Sequence, residues 1–140
     1  MADCTFGGGG HSIKLLEENP SNLKILGTDL DPVMIENCSL EYSDLIKKKK
    51  LALVHSNYVH LPHINIGKSF GRKVTTKSKY DIALLDLGFS SYQLEDDSRG
   101  FSYMQDDQDL DMRYDNSEMD SSTAHDIINN STLYDLQEIF

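Results

Sequence analysis

The sequence predicts an α/β fold organised around a parallel, doubly wound sheet, and three observations lead there. Four apolar runs of strand length, at residues 2–6, 23–28, 51–55 and 80–88, are interleaved with helically spaced segments. Four glycines, Gly7 to Gly10, close the first run, and an acid, Asp29, closes the second. Strands that alternate with helices are joined by crossovers, which leave the strands parallel and both sheet faces covered. With 140 residues, 39% apolar and 26% charged, the chain is long enough to bury one core.

Taken in order, Ala2 to Phe6 is a short, mixed strand that stops at the glycines. The pattern IKLLEE then predicts a short helix, with Ser12 as its N-cap and Asn19-Pro20 as its stop. Leu23 to Thr28 forms the second strand, which runs into Asp29-Leu30-Asp31-Pro32. Asp31 suits a helix start, and Val33, Ile35, Cys38, Leu40, Tyr42 and Leu45 give residues 33–46 helical spacing. LALVH at 51–55 follows four lysines as the third strand. Residues 56–79 hold Pro62, Gly67, Gly71 and a cluster of Lys and Arg, and predict an exposed, helix-poor excursion. YDIALLDLG at 80–88 is the most apolar strand of the chain. The segment from Leu94 to Asp120 is acidic and turn-rich. Helical spacing returns over 123–140 at Ile127, Ile128, Leu133, Leu136 and Phe140, with Ser122 or Thr123 as the cap. Residues 1–93 are therefore expected to form the core, and 94–140 an acidic loop followed by helix.

Composition narrows the function. No apolar run approaches the roughly 20 residues of a membrane-spanning helix, and the start lacks the basic-then-apolar order of a secretory signal, which predicts an intracellular protein with no membrane partner. Cys4 and Cys38 are too few for a disulfide framework and have no metal-ligand spacing. The net charge of -10 opposes nucleic-acid binding, but its distribution is uneven. Residues 1–80 carry 11 basic and 8 acidic side chains, and residues 81–140 carry 2 and 15, so any RNA contact is expected in the first half or in a segment outside this chain. Residues 107–118 supply acids at positions 1, 3, 5, 9 and 12 of an EF-hand loop, but Met112 stands where the sharp turn needs glycine and no amphipathic helix precedes it. His55, His60 and His63 match no common zinc spacing. No metal is expected.

The glycine turn lets backbone approach a ligand closely and aims helix N–H groups at it. Asp29, 19 residues after Gly10 at the carboxyl end of the second strand, is placed to accept both ribose hydroxyls of an adenosine cofactor. Such a site serves NAD and S-adenosylmethionine alike. LLDLGFSSYQL at 84–94 adds Asp86 at a strand end followed by Gly and two Ser, the position where amino-group methyltransferases hold the target amine.

The strings CTFGGGGHS (4–12), GTDLDP (27–32), LLDLGFSSYQLEDDSRGFS (84–102) and LDMRYD (110–115) resemble, in order and spacing, the bacterial RsmH (MraW) methyltransferases and their organellar relatives. The resemblance implies a Rossmann-like methyltransferase half-sheet of strand order 3-2-1-4, with 94–140 beginning a helical substrate-recognition insertion. It implies transfer of a methyl group from S-adenosyl-L-methionine to N4 of a cytidine in small-subunit ribosomal RNA, with that RNA or the assembling subunit as partner. It places the cofactor against Gly9, Gly10 and His11, with Asp29 at the ribose, Tyr58 beside the adenine, and Asp86 and Gln93 near the methionine end. Asp86 is the catalytic candidate.

The chain departs from the family at Tyr92, where relatives have Pro, and at D-D-Q-D-L-D over 106–111, which replaces a glycine-containing turn. Family segments before the first strand and after residue 140 are not in this sequence, so it is expected to be a portion that binds cofactor weakly and methylates nothing unaided. The implied compartment is the cytoplasm of a bacterium, or the mitochondrion or plastid of a eukaryote. Two other classes fit part of the pattern. An NAD-dependent oxidoreductase would use the same turn and Asp29 but leaves GFSSYQL unexplained, and an inactive methyltransferase remnant would keep the fold signals alone.

Overall fold

The computed structural model describes residues 1–19, 21–71, 79–96, 98–104, 109–115 and 121–140. It comprises two compact units, Met1–Gly88 and Phe89–Phe140.

In the first unit, strands β1 (Ala2–Asp3), β2 (Ile25–Asp29), β3 (Leu51–His55) and β4 (Ala83–Leu84) form one all-parallel sheet in the order β3-β2-β1-β4. This is the order of a Rossmann-like methyltransferase half-sheet. Ala2 pairs with Leu26 on one side and Ala83 on the other, so β1 lies inside the sheet. Because successive side chains point to opposite faces, Ile25 and Leu26 enter different cores, which is why β2 reads as a continuous apolar run. Ile25 packs with Phe6, Leu16, Met34, Cys38 and Leu51 under helices α1 (Gly10–Glu18) and α2 (Pro32–Glu41). Leu26 packs with Ala52 and Phe70. Gly27 leaves room for Phe6: a Cβ there would collide with the ring.

Several local expectations are corrected. Helix α1 begins at Gly10 with Gly9 as its N-cap, not with Ser12, whose buried hydroxyl is drawn inward by the Asp3 carboxylate. Residues 33–46 do not form one helix; α2 ends at Glu41 with Tyr42 as its C-cap, and α3 (Ser43–Lys47) follows. Asp31 does open α2, accepting the Val33 and Met34 N–H groups at 3.0 and 3.3 Å. The expected helix-poor excursion contains a 3-10 turn, Tyr58–His63, and a short helix α4 (Ile66–Ser69), with Gly67 and Phe70 buried against the second core. Its residues 72–78, like Pro20 of the expected helix stop, lie outside the described residues.

The fourth strand is two residues long rather than nine. It can pair only as far as β1 extends, and among the described residues its other edge meets no strand. Ile82, Leu85 and Leu87 are consequently 58%, 50% and 70% exposed.

The second unit holds α5 (Ser91–Glu95), α6 (Ala124–Asn130) and α7 (Leu133–Ile139). The single helix expected over 123–140 is broken at Ser131 and Thr132, because Thr123 and Thr132 each close a capping box with the Asp three residues on. Buried Arg99 donates to Asp96 at 3.0 Å and to the Tyr114 carbonyl at 3.2 Å, and the Phe101 ring lies 5.9 Å from Phe89 and 5.5 Å from Tyr114. Parts of the acidic segment, including residues 107, 108 and 116–118 of the EF-hand-like stretch, lie outside the described residues. No helix among the described residues is long and apolar enough to cross a membrane.

A candidate cofactor site at the carboxyl end of the sheet

Each candidate residue of the first unit follows the carboxyl end of a strand, where an open parallel sheet binds ligands. Leaving β1, the chain passes Phe6, which is 3% exposed and whose N–H donates to the Thr28 carbonyl at 3.0 Å, and then turns through the glycines. Gly7 and Gly9 have φ of 49° and 82°, a left-handed conformation in which glycine is unstrained. The inner side of the turn is tight, since a Cβ on Gly9 would meet the Phe6 ring at 2.7 Å. The outer side is open: a Cβ on Gly10 would meet nothing within 4 Å. Helix α1 then starts with no side-chain cap, so the N–H groups of its first turn, with exposed His11 among them, remain available to a ligand.

Asp29 ends β2. Its Oδ2 accepts the Gly7 N–H at 2.7 Å and its Oδ1 the Asp31 N–H at 3.0 Å, so this carboxylate ties strand to loop. Each oxygen has a second lone pair for another donor. A ring nitrogen of His55 lies 3.0 Å from the Leu30 carbonyl, joining the ends of β2 and β3. Tyr58 opens the 3-10 turn beyond β3, capped by Asn57, and is 39% exposed. Asp86 lies exposed past β4, and its N–H donates to Thr5 Oγ1 at 2.8 Å.

The topology thus gathers Gly9, Gly10, His11, Asp29, Tyr58 and Asp86 at one end of one sheet. Gln93 belongs to the second unit, where it is 3% exposed; its Oε1 accepts the Ser90 N–H at 2.9 Å as half of the capping box of α5. Among the described residues no three His, Cys, Asp or Glu side chains are grouped to hold a metal ion.

Two residues beside the candidate site escaped sequence reasoning. Asp3 is 1% exposed and accepts from Ser12 Oγ at 2.6 Å and from the Thr5 N–H at 3.3 Å. Burial pushes its carboxyl above the usual range, against the pull of the Ser12 hydrogen bond. An acid inside an apolar strand run just before a glycine turn was the available signal. Thr5, which holds the Asp86 backbone, carries no such signal.

A parallel 3-2-1-4 sheet, a glycine turn into an uncapped helix after β1 and a carboxylate after β2 define a Rossmann-like fold, consistent with a methyltransferase. The profile of the MraW methylase family matches residues 1–140, and the chain belongs to that family. It is similar to the ribosomal RNA small subunit methyltransferase H of Clostridium botulinum (strain Okra / Type B1), 36% identical over 138 residues, covering 99% of this chain and 40% of the relative. It is also similar to the protein of the same name from Desulfosudis oleivorans, 34% identical over 140 residues, covering 100% of this chain and 41% of the relative. The chain therefore spans about 40% of the length of these curated relatives.

Proposed function

We propose that this chain forms the cofactor-binding part of an S-adenosylmethionine-dependent methyltransferase acting on N4 of a cytidine in small-subunit ribosomal RNA. The observation that carries the reading is the open outer face of the Gly7–Gly10 turn, set between an uncapped helix and the Asp29 carboxylate. Family membership and the relatives' printed names supply the reaction class and the RNA. The residues present suit the cofactor. Backbone at Gly9, Gly10 and His11 would lie along it, Asp29 would accept from the ribose hydroxyls, and the exposed Tyr58 offers a flat face to the adenine. Gln93 is retained on the resemblance alone.

When bound, S-adenosylmethionine supplies an electrophilic methyl group. Cytosine N4 is a weak nucleophile, because its lone pair is delocalised into the ring, so positioning must provide most of the rate. Asp86 accepts hydrogen bonds from the amine and orients it, while Thr5 holds the Asp86 backbone. The target base must leave its stack to reach a pocket of this kind.

The test is incubation of the full-length protein with methyl-labelled S-adenosylmethionine and small ribosomal subunits lacking the modification, followed by nucleoside mass spectrometry. N4-methylcytidine is expected with wild type and not with Asp86→Ala. Methylation at another atom would overturn the N4 assignment, and binding of NAD in preference to S-adenosylhomocysteine would overturn the cofactor.

A further inference from the structure

The glycine turn has a second side, away from the ligand face, and α2 lies against it. The Tyr42 hydroxyl donates to the Gly8 carbonyl at 2.9 Å, and the Cys38 thiol donates to the Gly7 carbonyl at 3.4 Å. These two side chains are four residues apart, one helical turn, so they meet successive carbonyls of the loop. The Tyr42 ring stands edge-on to Phe6, with centroids 6.4 Å apart, and Phe6 is the residue that blocks a Cβ at Gly9. Asp29 takes the N–H of the same Gly7 whose carbonyl Cys38 holds. A run of four glycines is otherwise the freest backbone in the chain, and ordering it on ligand binding would cost conformational entropy at each residue.

We propose that Tyr42, assisted by Cys38, is a positioning residue for the cofactor loop: the two hydrogen bonds hold the Gly7 and Gly8 carbonyls against α2 and so preset the path of the chain into Gly9 and α1. The inference rests on the proposed cofactor site for its consequence, and on geometry alone for the clamp. Burial, then a hydrogen bond to the Glu41 carboxylate and its charge, push the Tyr42 phenol up to about 12, so the hydroxyl keeps its one proton, for which the Gly8 carbonyl at 2.9 Å and Glu41 are the two acceptors. Burial likewise pushes the Cys38 thiol up to about 11, which keeps it a neutral donor and not a reactive thiolate.

Tyr42→Phe in the full-length protein keeps the ring and its contact with Phe6 and removes one hydroxyl. Amide hydrogen exchange is expected to quicken several-fold at Gly7 and Gly9, whose N–H groups donate to Asp29 and to the Phe6 carbonyl, and to stay unchanged in β2 and β3, with the thermal midpoint unaltered. Affinity for S-adenosylhomocysteine is expected to fall several-fold, and KM for S-adenosylmethionine to rise while kcat holds, because a preset loop lowers the cost of binding and leaves the transfer step alone. Unchanged loop exchange with unchanged affinity would overturn the proposal. So would a Glu41→Ala protein that reproduced the Tyr42→Phe exchange, since the carboxylate would then be the hydroxyl's working acceptor. A wild type that bound no cofactor would remove the function proposed above and the ligand half of this inference, and loop exchange would still decide the clamp.

Discussion

The two acids nearest the glycine turn are held in different ways, and single substitutions distinguish them. Asp29 accepts the Gly7 and Asp31 N–H groups at 2.7 and 3.0 Å, so in the proposed site it orders the loop and receives the ribose hydroxyls. Asp29→Ala removes hydrogen bonds to a charged acceptor worth about 1.5–3 kcal/mol, and affinity for S-adenosylhomocysteine should fall ten-fold or more. Equal calorimetric affinity of mutant and wild type would remove Asp29 from the site. Asp3, by contrast, is buried with its carboxyl raised above the ordinary value, chiefly by desolvation. A raised carboxyl binds its proton more tightly in the folded state, so its contribution is full below the unfolded value and is lost as pH rises through the folded one. Asp3→Asn, which can still accept from Ser12, should therefore lose less stability than wild type between pH 4 and pH 7. Parallel denaturant curves for the two proteins across that range would contradict the assignment.

Helices are set here by their caps more than by their apolar spacing. Residues 123–140 carry spacing suited to one helix, yet Thr132 starts a second by accepting the Asp135 N–H while Asp135 accepts from the Thr132 N–H and hydroxyl at 3.0 and 2.6 Å. These bonds lower the Asp135 carboxyl below its ordinary value, and the Thr123 bonds do the same for Asp126. A lowered carboxyl contributes above the unfolded value, and the contribution disappears as pH falls through the folded one. Thr132→Ala should selectively fray α7, seen as lost amide protection over Leu133–Ile139 with α6 unaffected; coordinated loss from both helices would mean they fold as one unit. The sheet shows the same dependence on context. YDIALLDLG has the composition of a long central strand, but a strand lasts only while a neighbour pairs with it, and β1 provides two residues.

At the level of the molecule, the edge beyond β4 leaves apolar side chains uncovered. Ile82, Leu85 and Leu87 line an apolar edge with no strand beside it among the described residues, an arrangement that invites pairing between copies. Concentration-dependent self-association of the 140-residue chain is therefore expected. Ile82→Lys should reduce it in sedimentation velocity, and a mutant that associates like wild type would place the sticky surface elsewhere. Charge adds a second asymmetry. The acidic excess falls entirely in residues 81–140, and under the proposed function the net-basic first 80 would be the half suited to RNA phosphates.

Turns and caps are local chemistry, and the sequence alone determined them wherever local chemistry was enough: strand, glycine turn and helix at the start, Asp29 closing β2 and Asp31 capping α2, while it left the cap of α6 between Ser122 and Thr123. The family strings carried the strand order 3-2-1-4 as well, because motif order along the chain maps onto one fold. Partnership was decided only in three dimensions. Ser12 reads as a cap, but a buried Asp3 claims its hydroxyl; Tyr42 and Cys38 read as two more apolar positions of a helix, but two loop carbonyls lie above them. A buried polar group must find a partner wherever the fold places one, often 20 or 30 residues away in the chain, and no periodicity records that distance.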